Sequence, residues 1–202
     1  MADLDLVFGA QKLKGSAATG VGDALVSEYL GKYAALALKG QLYLAYSTAL
    51  ALSLPATATI GCMVWNRPGS GVRVHLLEWS SQIYATSAAC TGVVIAAGYQ
   101  TTTPTTVTAA TFYGRTLIND IVAQPGRVSA YNIATVLTAP LAVMLLHHNT
   151  AAIATTGEDV MTGTFGGGII LEEGAFATTA AHGAAAAATA WAGSLLFAEI
   201  PK

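Results

Sequence analysis

The chain ends in GAFATTAAHGAAAAATAWAGSLLFAEIPK, residues 174–202, and this stretch decides between a membrane helix and a β fold. It contains no Asp, Glu, Lys or Arg before Glu199. The alanines at 184–188 favour a helix, but Gly183 and Gly193 leave room for only about two and a half turns. Beyond them, side chains alternate with the two-residue period of a strand: Leu195, Phe197 and Glu199 against Leu196, Ala198 and Ile200. The stretch therefore predicts a small-residue loop leading into a final strand that ends at Pro201.

The composition narrows the class of protein. Charged residues make up 10% of the chain, against roughly 25% in ordinary soluble domains, and hydrophobic residues make up 53%. Runs without Asp, Glu, Lys or Arg lie at 40–66, 79–114, 128–157 and 174–198, each long enough to span a bilayer. Gly, Thr, Asn and Pro recur throughout the chain, and no Lys or Arg clusters flank the runs, so we predict no membrane association. A net charge of −2 indicates no nucleic-acid partner.

From Lys32 onward, short segments of strand-like pattern are separated by turn signals. The segments include IGCMVWN, VRVHLLEWSSQIY, VSAYNIATVLT and LAVMLLHHN, and the turns include RPGSG at 67–71 and QPGR at 124–127. Pro fixes φ in such turns and Gly permits positive φ. About eight to ten strands at this spacing indicate an antiparallel sandwich, a jelly roll or a closed barrel, not βαβ units. We therefore predict an all-β, antiparallel, jelly-roll-like β-sandwich over residues 32–202.

Residues 1–31 differ from the rest, because charges and glycines mix there without clean periodicity. We predict an N-terminal arm or attachment segment, with one short helix at Asp23–Tyr29. Cys62 and Cys90 are too few for a disulfide framework and predict buried free thiols.

Three local patterns give sharper predictions. Strict alternation in VRVHLLEWSSQIY puts Val72, Val74, Leu76 and Glu78 on one face and Arg73, His75, Leu77 and Trp79 on the other. The glycines at 166–168 lack the strand-then-helix context of a nucleotide-binding loop and predict a bulge or close packing within a strand. The sequence around Lys39 and Gly40 predicts a turn between two strands.

Four features of the sequence occur together. They are a Gly-rich strand GGGIILEEGAF, an Ala/Thr-rich connection after it, the terminal strand SLLFAEIP, and two strands joined by a Pro-Gly loop in WNRPGSGVRVHLLEWS. Together they resemble the β-sandwich virion proteins of tailed bacteriophages, a group that includes head-decoration, cement and spike- or fibre-base proteins. The resemblance covers roughly residues 60–202 and carries no catalytic motif. It implies a jelly-roll-like subunit, commonly a homotrimer, that is bound to a capsid or tail.

Motifs of enzymes and cofactor sites are missing from the sequence. There is no G-x-S-x-G, no phosphate loop, no H-E-x-x-H and no C-x-x-C. The neighbouring carboxylates Glu158–Asp159 and Glu172–Glu173 are typical of solvated loops, because acid/base pairs must face each other across a cleft. Adjacent His147 and His148 would point to opposite faces of a strand and cannot chelate one metal together. We therefore predict a non-enzymatic protein with no cofactor and no metal.

The candidate functional residues are those of an interface between copies of the chain. Glu199 lies among apolar residues and needs a partner, for which Arg73, Arg115 and Arg127 are available. The predicted interface residues are Glu199, Phe197, Trp191, His147 and His148. A charge-poor surface of small side chains also favours close approach of neighbouring subunits.

The leading hypothesis is a capsid decoration, cement or spike-base subunit made in the host cytoplasm and carried on the virion. Its predicted partners are copies of itself, in a homotrimer, and the major capsid protein or other virion proteins. The alternative is a carbohydrate- or receptor-binding sandwich that displays Thr-rich loops such as 101–111. Aromatic side chains exposed together on loops would favour that alternative.

Overall fold

The computed structural model describes residues 5–8, 11–14, 33, 36–37, 39–83, 92–114, 127–148, 161–184 and 191–202. Its strands are β1 (Asp5–Phe8), β2 (Gln11–Lys14), β3 (Leu42–Leu50), β4 (Ala58–Trp65), β5 (Val72–Ile83), β6 (Gly92–Tyr99), β7 (Thr105–Ala109), β8 (Thr111–Gly114), β9 (Ser129–Thr135), β10 (Leu141–His148), β11 (Met161–Leu171), β12 (Ala175–His182) and β13 (Trp191–Pro201). In these ranges no helix is long and apolar enough to cross a membrane.

Two antiparallel sheets pack against each other, which confirms the predicted β-sandwich. One sheet has the strand order β10-β6-β12-β4-β9-β7 and the other the order β11-β5-β13-β3-β8. The hairpin β1–β2 forms a separate two-stranded sheet within the predicted arm. The predicted helix at Asp23–Tyr29 lies outside the described residues, and the role of the arm stays a prediction.

The last strand, β13, is the middle strand of the five-stranded sheet, between β5 and β3. Leu195, Phe197 and Glu199 are buried on the inner face as predicted, together with Trp191, and the alternation of burial is interrupted only at Ala198, which is buried as well. These side chains join a core that the six-stranded sheet supplies from its own inner face, including Val64, Ile95, Ala177 and Ala181. Residues 185–190, which contain most of the alanine run, are outside the described ranges.

A β-bulge at Leu77 corrects the predicted faces of β5. Across from β13, Leu76 pairs with Phe197 and Glu78 pairs with Leu196, so Leu77 is an extra residue. An extra residue reverses the alternation beyond it. Trp79 is therefore buried with Leu76 in the core, and Glu78 lies on the outer face. The prediction was right up to Leu76 and wrong for Glu78 and Trp79.

The glycine-rich segment of β11 forms the predicted bulge. The register against β5 shifts between Thr164 and Ile169, and Gly166 takes a positive φ of 59°. Phe165 from this excursion is buried in the core. Just before it, Gly163 gives the Trp79 indole its space, because a Cβ there would lie 2.6 Å from the ring nitrogen. The predicted turn at Lys39–Gly40 also exists, but the described residues before it are not in a strand, so the hairpin expected there is wrong.

Cys62 lies on β4, fully buried in the core. Burial raises the pKa of its thiol to about 12, although hydrogen bonds with Ser47 and the Leu195 backbone act in the opposite direction. A thiol held in this protonated state is unreactive. The predicted buried free thiol is confirmed for Cys62, whereas Cys90 lies outside the described residues.

Candidate functional site: an exposed apolar edge strand

Among the strands that the structure describes, β10 lies at one edge of the six-stranded sheet and pairs only with β6. Its sequence is LAVMLLHH, yet the exposed fractions reach 75% at Leu141, 56% at Val143 and 52% at Leu145. Met144 is 38% exposed. Natural proteins protect sheet edges with charges, proline or a covering element, because an open edge recruits further strands. The first six residues of β10 are all apolar, so neither a charged side chain nor a proline protects this part of the edge.

The backbone of β10 spreads these apolar groups over both faces. Its register against β6 shifts between Ala142 and Met144 and again between Leu145 and His147. Each shift adds an unpaired residue and increases the local twist. Leu141, Val143 and Leu145 consequently remain in solvent while Leu146 packs partly against the core.

Two further apolar side chains are exposed in segments next to β10 in sequence or in the sheet. Leu137, in the β9–β10 connection, is 71% exposed, and Tyr99, at the end of β6, is 64% exposed. The buried side chain of Gln100 holds this region, because its Oε1 accepts the Leu137 N–H at 3.0 Å and its Nε2 donates to the Thr102 carbonyl at 2.9 Å. We call the exposed residues Tyr99, Leu137, Leu141, Val143, Met144 and Leu145 the β10 edge. Apolar patches of this kind mark interaction surfaces.

The predicted interface residues divide between this edge and the interior. His147 and His148 end β10, opposite Val93 and Gly92, and their side chains are outside the described part of the structure. Trp191 and Phe197 are completely buried within the single chain. Their position in the core explains why they are large and apolar without any partner subunit, so their role in an interface stays a prediction.

Glu199 is buried and reaches across the sandwich to the start of β9. Its carboxylate accepts the backbone N–H groups of Arg127 at 3.1 Å and Val128 at 3.2 Å. In the described ranges no salt bridge joins Glu199 to Arg73 or Arg127, so main-chain amides satisfy a carboxylate for which an arginine was expected; Arg115 lies outside those ranges. The nearby Tyr43 ring stacks on Phe197 with centroids 5.8 Å apart, and the pKa of Tyr43 is raised by burial first and by the Glu199 charge second.

Replacing Glu199 by Ala is expected to lower the free energy of unfolding by about 2–3 kcal/mol, because two largely buried amides lose their acceptor. Glu199→Gln keeps one acceptor oxygen and is expected to lose less. Urea unfolding followed by tryptophan fluorescence measures both. Glu172→Ala, at an exposed ion pair, serves as the control and should change stability little. Equal effects for the Glu199 and Glu172 variants would contradict this account.

Most of the charged residues that the structure describes lie at the same end of the sandwich as Glu199. Here the β4–β5 loop and the β11–β12 turn cross between the sheets and meet the end of β13. Of the charged residues described after Lys39, all but Glu78 lie here, and we call this group the charged end: Arg67, Arg73, Arg127, Glu172, Glu173, Glu199 and Lys202.

The side chain of Asn66 holds together the β4–β5 loop and the β11–β12 connection, which both cross between the sheets at the charged end. Its buried side-chain Nδ2 donates to the carbonyls of Val72 and Leu171, each at 2.9 Å, and its Oδ1 accepts the Ser70 hydroxyl at 2.6 Å. Its backbone N–H donates to Ala175 O at 2.9 Å. One side chain therefore connects residues of the loop, β5 and β11.

Glu172 and Glu173, in the β11–β12 turn, bind the other groups of the charged end. Glu172 pairs with Arg73 at 2.6 Å and with Lys202 at 3.1 Å, and Glu173 accepts the N–H groups of Gly69 and Gly71, each at 3.0 Å. The bond from Lys202 and then that from Arg73 lower the pKa of Glu172, whereas the two glycine amides lower that of Glu173. The pKa of Lys202 is raised, mainly by Glu172.

The Gly69 and Gly71 amide resonances are expected to shift together in acid, with a midpoint below the ordinary pKa of glutamate. Because the folded pKa of Glu173 is depressed, its contacts stabilise the loop fully above the unfolded pKa and are lost as pH falls through the folded value. An NMR pH titration measures the midpoint, and Glu173→Gln should remove the transition. A midpoint at or above the ordinary value of glutamate would be inconsistent with these bonds.

A groove crosses the outer face of the five-stranded sheet. Its volume is about 390 Å³, and its lining includes Leu42, Leu44 and Leu196 together with Tyr33, Glu78, Ser80, Thr162 and Ser194. The Tyr33 hydroxyl donates to Glu78 Oε1 at 3.1 Å, and the hydroxyls of Ser80 and Ser194 lie 2.8 Å apart. Among the residues that the structure describes, no group of three His, Cys, Asp or Glu side chains could hold a metal ion.

No family model, curated protein or solved structure matches this chain. The resemblance to phage virion proteins therefore stays a prediction. Sequence reasoning missed the β10 edge, although His147 and His148 were placed at its end. The signal was present in LAVMLLHH, a continuous apolar run, but such a run looks the same in a buried strand and in an exposed one.

Proposed function

We propose that the chain is a non-enzymatic structural subunit of a virion that assembles with copies of itself through the β10 edge. The observation that carries this proposal is the exposure of Leu141, Val143 and Leu145 on an edge strand. Pairing this edge with another copy would satisfy its outward backbone groups and bury its apolar side chains together.

We propose a homotrimer as the oligomeric state, because the phage proteins that the sequence resembles are commonly homotrimers. In a three-fold ring each copy uses two different surfaces, so the β10 edge of one subunit would meet another surface of the next. If two β10 edges paired with each other across a two-fold axis, the product would be a dimer. The mass in solution separates these arrangements.

Multi-angle light scattering at two protein concentrations tests the proposal. The expected mass is about 61 kDa, three times the 20.5 kDa of the chain. A dimer of about 41 kDa, twice the chain mass, would retain self-assembly and overturn the trimer. A monomer at both concentrations would overturn self-assembly altogether.

A carbohydrate-binding role is the second candidate, favoured by the groove on the five-stranded sheet. Hydroxyl groups and the Glu78 carboxylate border an apolar floor of leucines, and Tyr33 adds an aromatic ring. Sugars offer the matching combination of hydroxyls and apolar faces. Binding on a glycan array that Ser194→Trp abolishes would support this function, because Trp would fill the groove. Binding unaffected by that substitution would exclude the groove as the sugar site.

A further inference from the structure

Two strands of the six-stranded sheet place a histidine beside the same glycine. β10 and β12 are the two neighbours of β6, and both end beside the residue at which β6 begins. His148 of β10 pairs with Gly92 of β6, and His182 of β12 pairs with Gly92 from the other side. A row of three residues, His148, Gly92 and His182, therefore crosses three strands at one end of the sheet.

The two histidines occupy positions on the same face of the sheet. Residues that lie directly opposite each other in antiparallel strands share a face, and Gly92 lies opposite both histidines. One hydrogen-bonded and one non-hydrogen-bonded pair together place the Cα atoms of His148 and His182 about 10 Å apart. Gly92 has no side chain that would separate the two imidazoles.

This spacing suits a transition-metal ion held by two imidazoles. Imidazole nitrogen is a favoured ligand of Zn²⁺, Ni²⁺ and Cu²⁺, with Zn–N bonds of about 2.0–2.1 Å. The imidazole ring carries its nitrogens away from the backbone, so two histidines at this separation can reach one ion. A histidine can keep a hydrogen bond at one ring nitrogen while the other nitrogen binds a metal. His182 is exposed, which gives an ion access from solvent.

We propose that His148 and His182 bind one divalent transition-metal ion of the Zn²⁺, Ni²⁺ and Cu²⁺ class, with water at its remaining coordination positions. Sequence reasoning considered His147 and His148 as the pair, but adjacent residues of a strand lie on opposite faces. The strand order instead brings His182 to the face of His148. The inference goes beyond the proposed assembly and does not depend on it, because both histidines belong to one chain.

Isothermal titration calorimetry of the tag-free protein with Zn²⁺ tests the proposal. We expect one ion per chain with a Kd on the order of 10–100 μM, weaker than a closed four-ligand site. Mg²⁺ should not bind, because it requires oxygen ligands. Paramagnetic Cu²⁺ should broaden the NMR amide signals of Gly92, His148 and His182 before those of Gly69 and Gly71 at the charged end. One ion per three chains would place the ion between copies and overturn the proposal.

His182→Gln and His148→Gln should each weaken Zn²⁺ binding by about tenfold or more, because a single imidazole ligand then remains. His147→Gln is the matched control: it removes the neighbouring histidine of β10, on the opposite face, and should change the Kd less than about twofold. Circular dichroism verifies the fold of each variant. Unchanged binding in the first two variants, an equal loss in the control, or Cu²⁺ broadening centred elsewhere in the chain would each overturn the proposal.

Discussion

Replacing Val143 and Leu145 by lysine is expected to convert the assembled protein into a folded monomer of 20.5 kDa. Both side chains are more than half exposed in the single chain, so lysine costs the monomer little. In the proposed contact each charge would be buried without a partner. A cost of about 3–5 kcal/mol for one such charge corresponds to a loss of roughly two to four orders of magnitude in association. Sedimentation velocity measures the mass, and circular dichroism verifies the fold.

Leu54→Lys is the matched control for this experiment. Leu54 is 42% exposed in the connection between β3 and β4, where the neighbouring Ser53 accepts the Ala181 N–H of β12, a strand that β6 separates from β10. Leu54→Lys is compared with the single variant Val143→Lys, because each adds one positive charge at a side chain of similar exposure. Leu54→Lys should leave the assembly intact. An unchanged mass in the Val143/Leu145 variant would show that the β10 edge is not the contact. Dissociation by Leu54→Lys would show that a lysine outside β10 is enough to break the assembly, and the effect of the β10 variant would then not identify the contact.

Asn66→Ala is expected to lower the free energy of unfolding by about 3–5 kcal/mol, a large part of the 5–15 kcal/mol typical of a domain. The substitution leaves the carbonyls of Val72 and Leu171 without their donor and removes the acceptor of the Ser70 hydroxyl. Urea unfolding of the monomeric Val143→Lys/Leu145→Lys variant, with and without Asn66→Ala, measures this loss of stability without a contribution from subunit dissociation.

Ser70→Ala provides the comparison for Asn66. It removes the bond to the Asn66 side chain and a longer bond, at 3.3 Å, from the Val72 N–H, both at a partly exposed position, and should cost about 1–2 kcal/mol. If Asn66→Ala lowered the free energy of unfolding no more than Ser70→Ala does, the hydrogen bonds of the Asn66 side chain would not stabilise this end of the sandwich in the way proposed.

The alternating pattern of β13 could be recognised in the sequence because the large side chains of its inner face are completely buried, whereas Leu196 and Ile200 on its outer face are only half-buried. Leu195, Phe197 and Glu199 could be assigned to one face from the two-residue period alone. The same reasoning failed on β5 beyond Leu76, because the bulge at Leu77 lies opposite the glycine-rich excursion of β11. A bulge set by a strand almost a hundred residues away leaves no local signal in β5.

The candidate surfaces were harder to predict than the fold. The exposure of β10 depends on its place at the edge of the sheet, and strand order is not encoded in a local pattern. His148 and His182 lie beside the same glycine only because β10 and β12 flank β6, and their sequence separation gave no indication of it. Glu199 was recognised as a buried carboxylate that needs partners, but backbone donors carry no sequence signature, and arginine was therefore expected instead.

Amide hydrogen exchange along β10 is the most direct measurement of the central claim, that another copy of the chain covers this edge. The alternate amides of Leu141–His148 that point away from β6 should be protected, and their protection should increase with protein concentration, because association buries them. The Val143/Leu145 variant should exchange rapidly at the same amides. Rapid, concentration-independent exchange along β10 in the natural sequence would contradict the claim.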